Sequence, residues 1–143
     1  MKIPECIKVY GDKSYRDKKC PKEKIEQITF VNRIRDLYPD SYGIALVHIK
    51  NEAQLIRGQF LGITTDKAMG MSKGASDIVI PGDPAFVLEL KRRDHTLSEI
   101  SQEQINYLIT CGELGAFVCV ALGADAAMEA FDDWLKIKNN KNT

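Results

Sequence analysis

The stretch SDIVIPGDPAFVLELK (residues 76–91) decides the fold, because it is typical of two short strands joined by a tight turn. The sequence PGDP (81–84) supplies the turn chemistry, and β-branched and aromatic residues flank it on both sides. Charged side chains are uncommon in segments as apolar as these. Asp77, Glu89 and Lys91 therefore need an explanation.

Side-chain alternation places part of this set on one face. Residues two apart in a strand share a face, so Glu89 and Lys91 point the same way, and the other face carries Phe86, Leu88 and Leu90. A three-residue turn, Gly82 to Pro84, would set Asp77 opposite Glu89, with Cβ atoms about 5 Å apart. A four-residue loop would instead set Asp77 opposite Leu88. We expect the three-residue turn.

Two carboxylates so close together repel unless a positive charge lies between them. Lys91 offsets part of the repulsion, and a hard divalent cation offsets it better. Mg²⁺ prefers carboxylate and water oxygens, and it stabilises negative charge that develops on phosphate. The set of Asp77, Glu89 and Lys91 therefore indicates phosphodiester hydrolysis.

Composition limits the alternatives. The sequence has 143 residues, which suits a single domain of residues 1–143, and it balances 20 basic against 20 acidic residues. No apolar run reaches the roughly 20 residues of a membrane span. The first residues lack an apolar signal core, so we expect a cytoplasmic protein. The four cysteines form no CxxC pair, which disfavours zinc and a disulfide framework.

Local patterns predict helices and strands in a mixed order. Residues 1–20 are an arm or a short strand, residues 52–74 are difficult to assign, and residues 136–143 are predicted to be a flexible tail. A helix is predicted from Pro21 to Pro39, with apolar positions Ile25, Ile28, Val31, Ile34 and Leu37. A strand at 43–51 and the strand pair above follow. The last predicted elements are a helix from Thr96 or Ser101 to about Cys111, a strand at 115–122 and a helix at 125–138. This order predicts an α/β fold, a small mixed sheet flanked by helices.

Ordered motifs extend this interpretation over residues 23–135. The sequence resembles the VRR-NUC family of the PD-(D/E)XK nuclease superfamily, and in particular its stand-alone phage and bacterial members. The motifs that carry the resemblance are EKIEQ (23–27), VHIKN (47–51), GASD (74–77), ELK (89–91), SQEQ (101–104) and the apolar strand from Gly115 to Gly123. The sequence departs from the family at Ser76, where the family has proline. The resemblance implies a restriction-endonuclease-like core.

The resemblance also implies roles. Asp77 and Glu89 would be ligands of Mg²⁺ or Mn²⁺ together with the Leu90 carbonyl, and Lys91 would orient the attacking water. Gln104 would reach the same site from its helix. Ser101 and Gln104 also have the spacing of a capping box, as do Thr96 and Glu99.

An acid of the first helix would complete the catalytic set that the resemblance implies. Its spacing to Gln27 favours Glu23, and Glu26 is the alternative. Basic residues would contact DNA phosphates, and the candidates are Lys18, Lys19, Lys73, Arg92 and Arg93.

The stand-alone family members are similar to junction-resolving enzymes that act as homodimers. We therefore expect a metal-dependent DNA endonuclease, selective for branched DNA such as four-way (Holliday) junctions, whose dimer surface includes residues 52–72. A catalytically idle DNA-binding or assembly module and a flap-type nuclease are the alternatives.

Overall fold

The structure, a computed structural model, describes residues 1–49, 69–70, 72 and 74–141. Five strands form one mixed sheet in the order β1-β5-β4-β3-β2. The strands are β1 (Lys8–Tyr10), β2 (Val47–His48), β3 (Ile78–Ile80), β4 (Phe86–Lys91) and β5 (Phe117–Leu122). The helices are α1 (Glu23–Leu37), α2 (Tyr42–Ala45), α3 (Gln102–Glu113) and α4 (Ala124–Lys141), with a 3-10 turn at His95–Leu97. The predicted fold class, a mixed sheet flanked by helices, is confirmed.

The β3–β4 hairpin has the predicted register. Ile78 pairs with Leu88 and Ile80 pairs with Phe86, in antiparallel orientation. Continuing this register by one residue sets Asp77 opposite Glu89, so the three-residue turn is confirmed. On its other side β4 pairs in parallel with β5, which places the carboxyl end of β4 beside that of β5.

The two faces of the sheet bury different helices. One face carries the larger core, in which Phe86, Leu88 and Leu90 of β4 pack with α1 and with Phe131 and Trp134 of α4. The opposite face packs against α3 through a smaller core that includes Val87, Val120, Ile105 and Leu108. Glu89 and Lys91 belong to this second face by alternation, so α3 is the helix that lies over the charged side chains.

The helix α1 forms where predicted, but of the apolar positions that predicted it only Ile34 is fully buried, and Val31 is partly buried against the core. Ile25, Ile28 and Leu37 are exposed, whereas Phe30 and Ile34 are completely buried. The physical reason is the period of the helix: positions three apart drift around an axis that completes a turn every 3.6 residues. Only part of a stripe with that spacing can face the sheet.

The segment predicted as a strand at 43–51 is helical at its start. Gly43 lies so close to the end of α1 that a Cβ there would be 2.7 Å from the Tyr38 carbonyl oxygen and 2.9 Å from the Arg35 Cα. Its N–H donates to the same carbonyl of Tyr38 at 2.9 Å. Contact with α1 therefore overrides the local β pattern at 43–45, and among the described residues the strand is limited to β2. Residues 50 and 51 of the predicted strand lie outside the described residues.

The N-terminal segment forms a short strand, one of the two alternatives predicted for it, whereas the C-terminal segment is more ordered than predicted. The first segment contributes β1, which pairs in parallel with β5, and the Tyr10 hydroxyl donates to Asp133 of α4 at 2.8 Å. The helix α4 continues through Lys141, so the tail predicted at 136–143 is helical up to that residue. None of the helices in the described ranges has the length and apolarity needed to cross a membrane.

Candidate active site

The candidate active site lies between the beginning of β3 and the carboxyl end of β4, beneath the first turn of α3. Glu89 and Lys91 are 1% and 3% exposed, although both carry ionisable groups. Charged side chains are almost never this buried unless they are paired. The hairpin brings Asp77, which is partly exposed, opposite Glu89.

The two oxygens of Glu89 have different surroundings. Oε1 lies 3.4 Å from the Lys91 ammonium and accepts a hydrogen bond from Gln104 Nε2 at 2.9 Å. Oε2 is buried and has no hydrogen-bond partner among the residues that the structure describes. A buried carboxylate oxygen without a partner is costly, so this atom indicates a missing ligand or proton.

Asp77 is held against β4 through the backbone. Its Oδ2 accepts a hydrogen bond from the Leu90 N–H at 2.8 Å. The Lys91 carbonyl points the opposite way, because it accepts from Gly123 N after β5. Peptide groups alternate along a strand, so the Leu90 carbonyl faces the same side as its N–H, toward Asp77.

Burial changes the acidity of both carboxyl groups. Burial and the negative charge of Asp77 raise the pKa of Glu89 to about 9, against the lowering effect of Lys91. Burial also raises the pKa of Asp77, against the lowering effects of the Leu90 N–H and of Lys91. At neutral pH the pair therefore keeps a proton unless a cation replaces it.

The oxygen atoms of this site suit a hard divalent cation. The pair offers carboxylate oxygens, of which Glu89 Oε2 lacks a partner, and the Leu90 carbonyl faces the same space. Within the described ranges, no group of three or more His, Cys, Asp or Glu side chains has a metal-binding arrangement. A metal here would therefore have two acidic side chains, and water or substrate oxygens would complete its coordination, as Mg²⁺ prefers.

Gln104 contacts both Ser101 at the start of α3 and Glu89 of β4. Its Oε1 accepts from the Ser101 N–H at 2.9 Å, and its own N–H donates to the Ser101 hydroxyl at 3.1 Å, which completes a capping box at the start of α3. Its Nε2 donates to Glu89. The upstream alternative from Thr96 to Glu99 does not begin an α-helix, because only a 3-10 turn forms there.

The structure gives different partners to the two candidate acids of α1. Glu26 accepts a hydrogen bond from the Ala124 N–H and so caps the N-terminus of α4. Glu23 accepts from the Ser98 hydroxyl at 2.7 Å, and that hydroxyl accepts from the Arg92 N–H at 3.0 Å. Glu23 thus lies by the end of β4, and no hydrogen bond or ion pair among the described residues joins it to Glu89.

Arg92 and Arg93 have different environments although they are adjacent. The Arg92 guanidinium donates to the main-chain carbonyls of Cys20 and Pro21, which makes it a structural link to the N-terminal segment. The Arg93 side chain is exposed, and its guanidinium lies 4.0 Å from the centre of the Tyr15 ring. Arg93 also lines a cavity of about 540 Å³ between the N-terminal segment, α1 and α4. Of the two, Arg93 is the one available to a phosphate.

Lys18 and Lys19 are exposed on a turn that is attached to the loop after β4. Asp17 in this turn donates its N–H to the buried Asp94 carboxylate at 2.9 Å. The lysines therefore lie on the side of the molecule where β4 ends. Lys73 and most of the segment 52–72 lie outside the described residues.

Sequence reasoning missed two organising residues. Asp94 accepts hydrogen bonds from the N–H and hydroxyl of Thr96, an Asx turn that the spacing Asp-x-Thr could have indicated. The second is His48 of the VHIKN motif, whose Nδ1 lies 2.8 Å from the Asp77 carbonyl oxygen. A carbonyl only accepts, so Nδ1 carries the proton in this contact.

Taken together, the sheet order, the hairpin and the buried acid–lysine pair define a mixed α/β fold of the restriction-endonuclease-like class. Comparison with solved structures agrees: the chain matches a structure described as a "VRR_NUC domain protein" with a TM-score of 0.63, over 82% of this chain and 91% of the other. The two sequences are 17% identical, so the likeness shows a shared fold. No protein-family model matches the sequence, and no curated protein matches it.

Proposed function

We propose that this protein is a nuclease that hydrolyses DNA phosphodiester bonds with the help of Mg²⁺ or Mn²⁺. The observation that carries the proposal is the buried Glu89, whose Oε2 has no hydrogen-bond partner in the described part of the chain although Asp77 and Lys91 lie beside it. A buried charged group that serves only the fold is rarely retained, because an apolar side chain in its place would often make the protein more stable. The fold shared with a VRR_NUC domain protein supports the same chemistry.

The residues have separable tasks in this proposal. Asp77, Glu89 and the Leu90 carbonyl hold the cation, which when bound supplies positive charge for the phosphate and lowers the pKa of water. Lys91 remains beside Glu89 and offers its ammonium to the attacking water or to the phosphate oxygens. Gln104 keeps Glu89 in place. Glu23, bound to Ser98, is a candidate for a contact that forms only with substrate.

The substrate we propose is branched DNA, bound by a homodimer. The exposed Arg93, Lys18 and Lys19 flank the end of β4, and they would position DNA through its phosphates rather than through its bases. A two-fold dimer presents two active sites, which suits a four-way junction that must be cut on two strands. A flap-type nuclease would need only one active site for each DNA.

Cleavage assays test the chemistry. Labelled four-way junction, flap, duplex and single-stranded DNA are incubated with Mg²⁺, Mn²⁺ or EDTA, and wild type is compared with Lys91→Ala and with the exposed control Lys136→Ala. We expect metal-dependent cuts that fall at least 100-fold in Lys91→Ala, as for loss of a group that stabilises the transition state, and that persist in Lys136→Ala. Cleavage that is unaffected by Lys91→Ala would contradict the proposed site.

The same experiment addresses the alternative of an idle DNA-binding module. That alternative predicts tight binding of junction DNA without a cut in either metal. Sedimentation at micromolar concentration tests the dimer separately, since a monomer bound to a four-way junction would contradict the paired arrangement.

A further inference from the structure

The first turn of α3 donates a hydrogen bond to Glu89 through Gln104, and its backbone packs against Gly74, three residues before Asp77. From this we infer that Ser101 and Gly74 are positioning residues of the site: Ser101 sets the orientation of the Gln104 amide toward Glu89, and Gly74 allows the segment before Asp77 to lie against the same turn. The inference rests on the proposed function for its catalytic meaning, but its geometry can be tested without catalysis.

The argument for Ser101 begins with the chemistry of an amide. A glutamine side chain ends in an oxygen that accepts and a nitrogen that donates, and the two ends can exchange by rotation. The Ser101 N–H can only donate, and it contacts Gln104 Oε1 at 2.9 Å. This contact leaves Nε2 for Glu89 Oε1, at 2.9 Å. The cap of the helix therefore determines that Glu89 faces a donor rather than a second acceptor.

The Ser101 hydroxyl secures the other half of the arrangement. It accepts from the Gln104 N–H at 3.1 Å and so holds the backbone from which the glutamine side chain extends. Removing a capping hydroxyl destabilises the start of a helix and frays its first turn. In this protein the frayed turn would carry the residue that holds Glu89.

Gly74, three residues before Asp77, packs against the same turn of α3. Its φ is +81°, a conformation that favours glycine. A Cβ at this position would lie 2.4 Å from the Glu103 carbonyl carbon and 2.7 Å from Gln104 N, which are backbone atoms that cannot move aside. Hydrogen is therefore the only side chain that fits. Three residues later, Asp77 reaches Leu90 N and stands opposite Glu89.

The test uses Ser101→Ala, the conservative Ser101→Thr and a control that weakens the same helix elsewhere. Asn106 is exposed on α3 and accepts a hydrogen bond from Gln102, so Asn106→Gly weakens the helix without touching Gln104. Two properties are measured on the full chain: the NMR shifts and exchange rate of the Gln104 side-chain amide protons, and kcat and KM for cleavage of junction DNA with Mn²⁺.

We expect Ser101→Ala to speed exchange of the Gln104 amide protons and to lower kcat about tenfold with little change in KM. Ser101→Thr should restore both, and Asn106→Gly should leave both as in wild type. Unchanged amide protons in Ser101→Ala would overturn the inference, as would an equal loss of kcat in Asn106→Gly, which would show that only helix stability matters.

Gly74→Ala provides a second test of the same turn. If the variant folds, we expect the Gln104 amide protons to shift as they do in Ser101→Ala, and unchanged shifts would overturn the part of the inference that concerns Gly74. If no variant and not even wild type cleaves DNA, the amide measurement still decides the geometry. A shift without any cleavage would support the positioning roles and contradict the proposed nuclease.

Discussion

Glu89 shows how one atom can define a site. Its carboxylate is 1% exposed. One oxygen is paired with Lys91 and Gln104, and the other has no partner among the described residues. Such a buried group is stable only as a protonated acid or with a bound cation. Ser76, one residue before Asp77, is a second buried polar side chain whose hydroxyl has no partner among the described residues. Unlike Glu89, Ser76 lies on the apolar face of the sheet, so its hydroxyl does not face the candidate active site.

The stability of the metal-free protein should fall as pH rises. The folded pKa of Glu89, about 9, is higher than its ordinary value of 4.5, so between these values the folded state binds a proton that the unfolded state releases. The free energy of unfolding then decreases by up to about 1.4 kcal/mol for each pH unit. Thermal melts in EDTA between pH 5.5 and 8.5 measure this slope.

The control for the pH dependence is Glu89→Gln, which has no carboxyl group to ionise at this position. We expect its melting temperature to vary much less over the same range. Equal slopes in wild type and in the variant would assign the pH dependence to other groups.

Ser76→Ala should stabilise the fold. The serine hydroxyl is completely buried, and removing an unsatisfied buried hydroxyl recovers about 1 kcal/mol. Thermal unfolding measures the effect, and Ser41→Ala is a control, because Ser41 is exposed and makes no capping hydrogen bond. A lower melting temperature in Ser76→Ala would mean that the hydroxyl has a partner.

At the scale of helices and strands, acids and amides connect elements that are far apart in sequence. Glu26 of α1 caps the first turn of α4, Glu23 reaches the loop after β4 through Ser98, and Gln104 joins α3 to β4. The sequence favoured Glu23 over Glu26 only through its spacing to Gln27, and both acids lie in the first turn of α1. Tertiary packing gives one of them a structural task and leaves the other beside the end of β4.

Glu26→Ala should therefore destabilise the protein by about 1 kcal/mol, through loss of the cap on α4. Urea unfolding measures this, with Glu129→Ala as the control, since Glu129 is an exposed acid on α4 itself. If Glu26→Ala instead abolished cleavage at unchanged stability, Glu26 rather than Glu23 would be the catalytic acid of α1.

At the scale of the whole molecule, the zero net charge hides an uneven distribution. Lys18, Lys19 and Arg93 are exposed near the end of β4, whereas the Arg92 guanidinium is held by main-chain carbonyls. Binding to DNA phosphates should therefore depend on Arg93 more than on its neighbour.

Arg93→Ala should weaken junction binding and reduce the slope of log affinity against log salt by about one unit, the value expected for one lost phosphate contact. Fluorescence anisotropy across a salt series measures the slope, and thermal unfolding should show little change. Arg92→Ala should give the opposite pattern, with lower stability and a smaller change in the salt slope. A full wild-type slope in Arg93→Ala would place the DNA elsewhere.

Local patterns in the sequence predict the hairpin and limit Asp77 to two registers, and the expected register, opposite Glu89, is the one observed. They also predict a capping box at Ser101 and Gln104, although Thr96 and Glu99 have the same spacing. The buried positions of α1, the helix α2 and the main-chain contacts of Arg92 follow from tertiary packing. These outcomes depend on contacts between distant segments, and local propensity carries no information about such contacts.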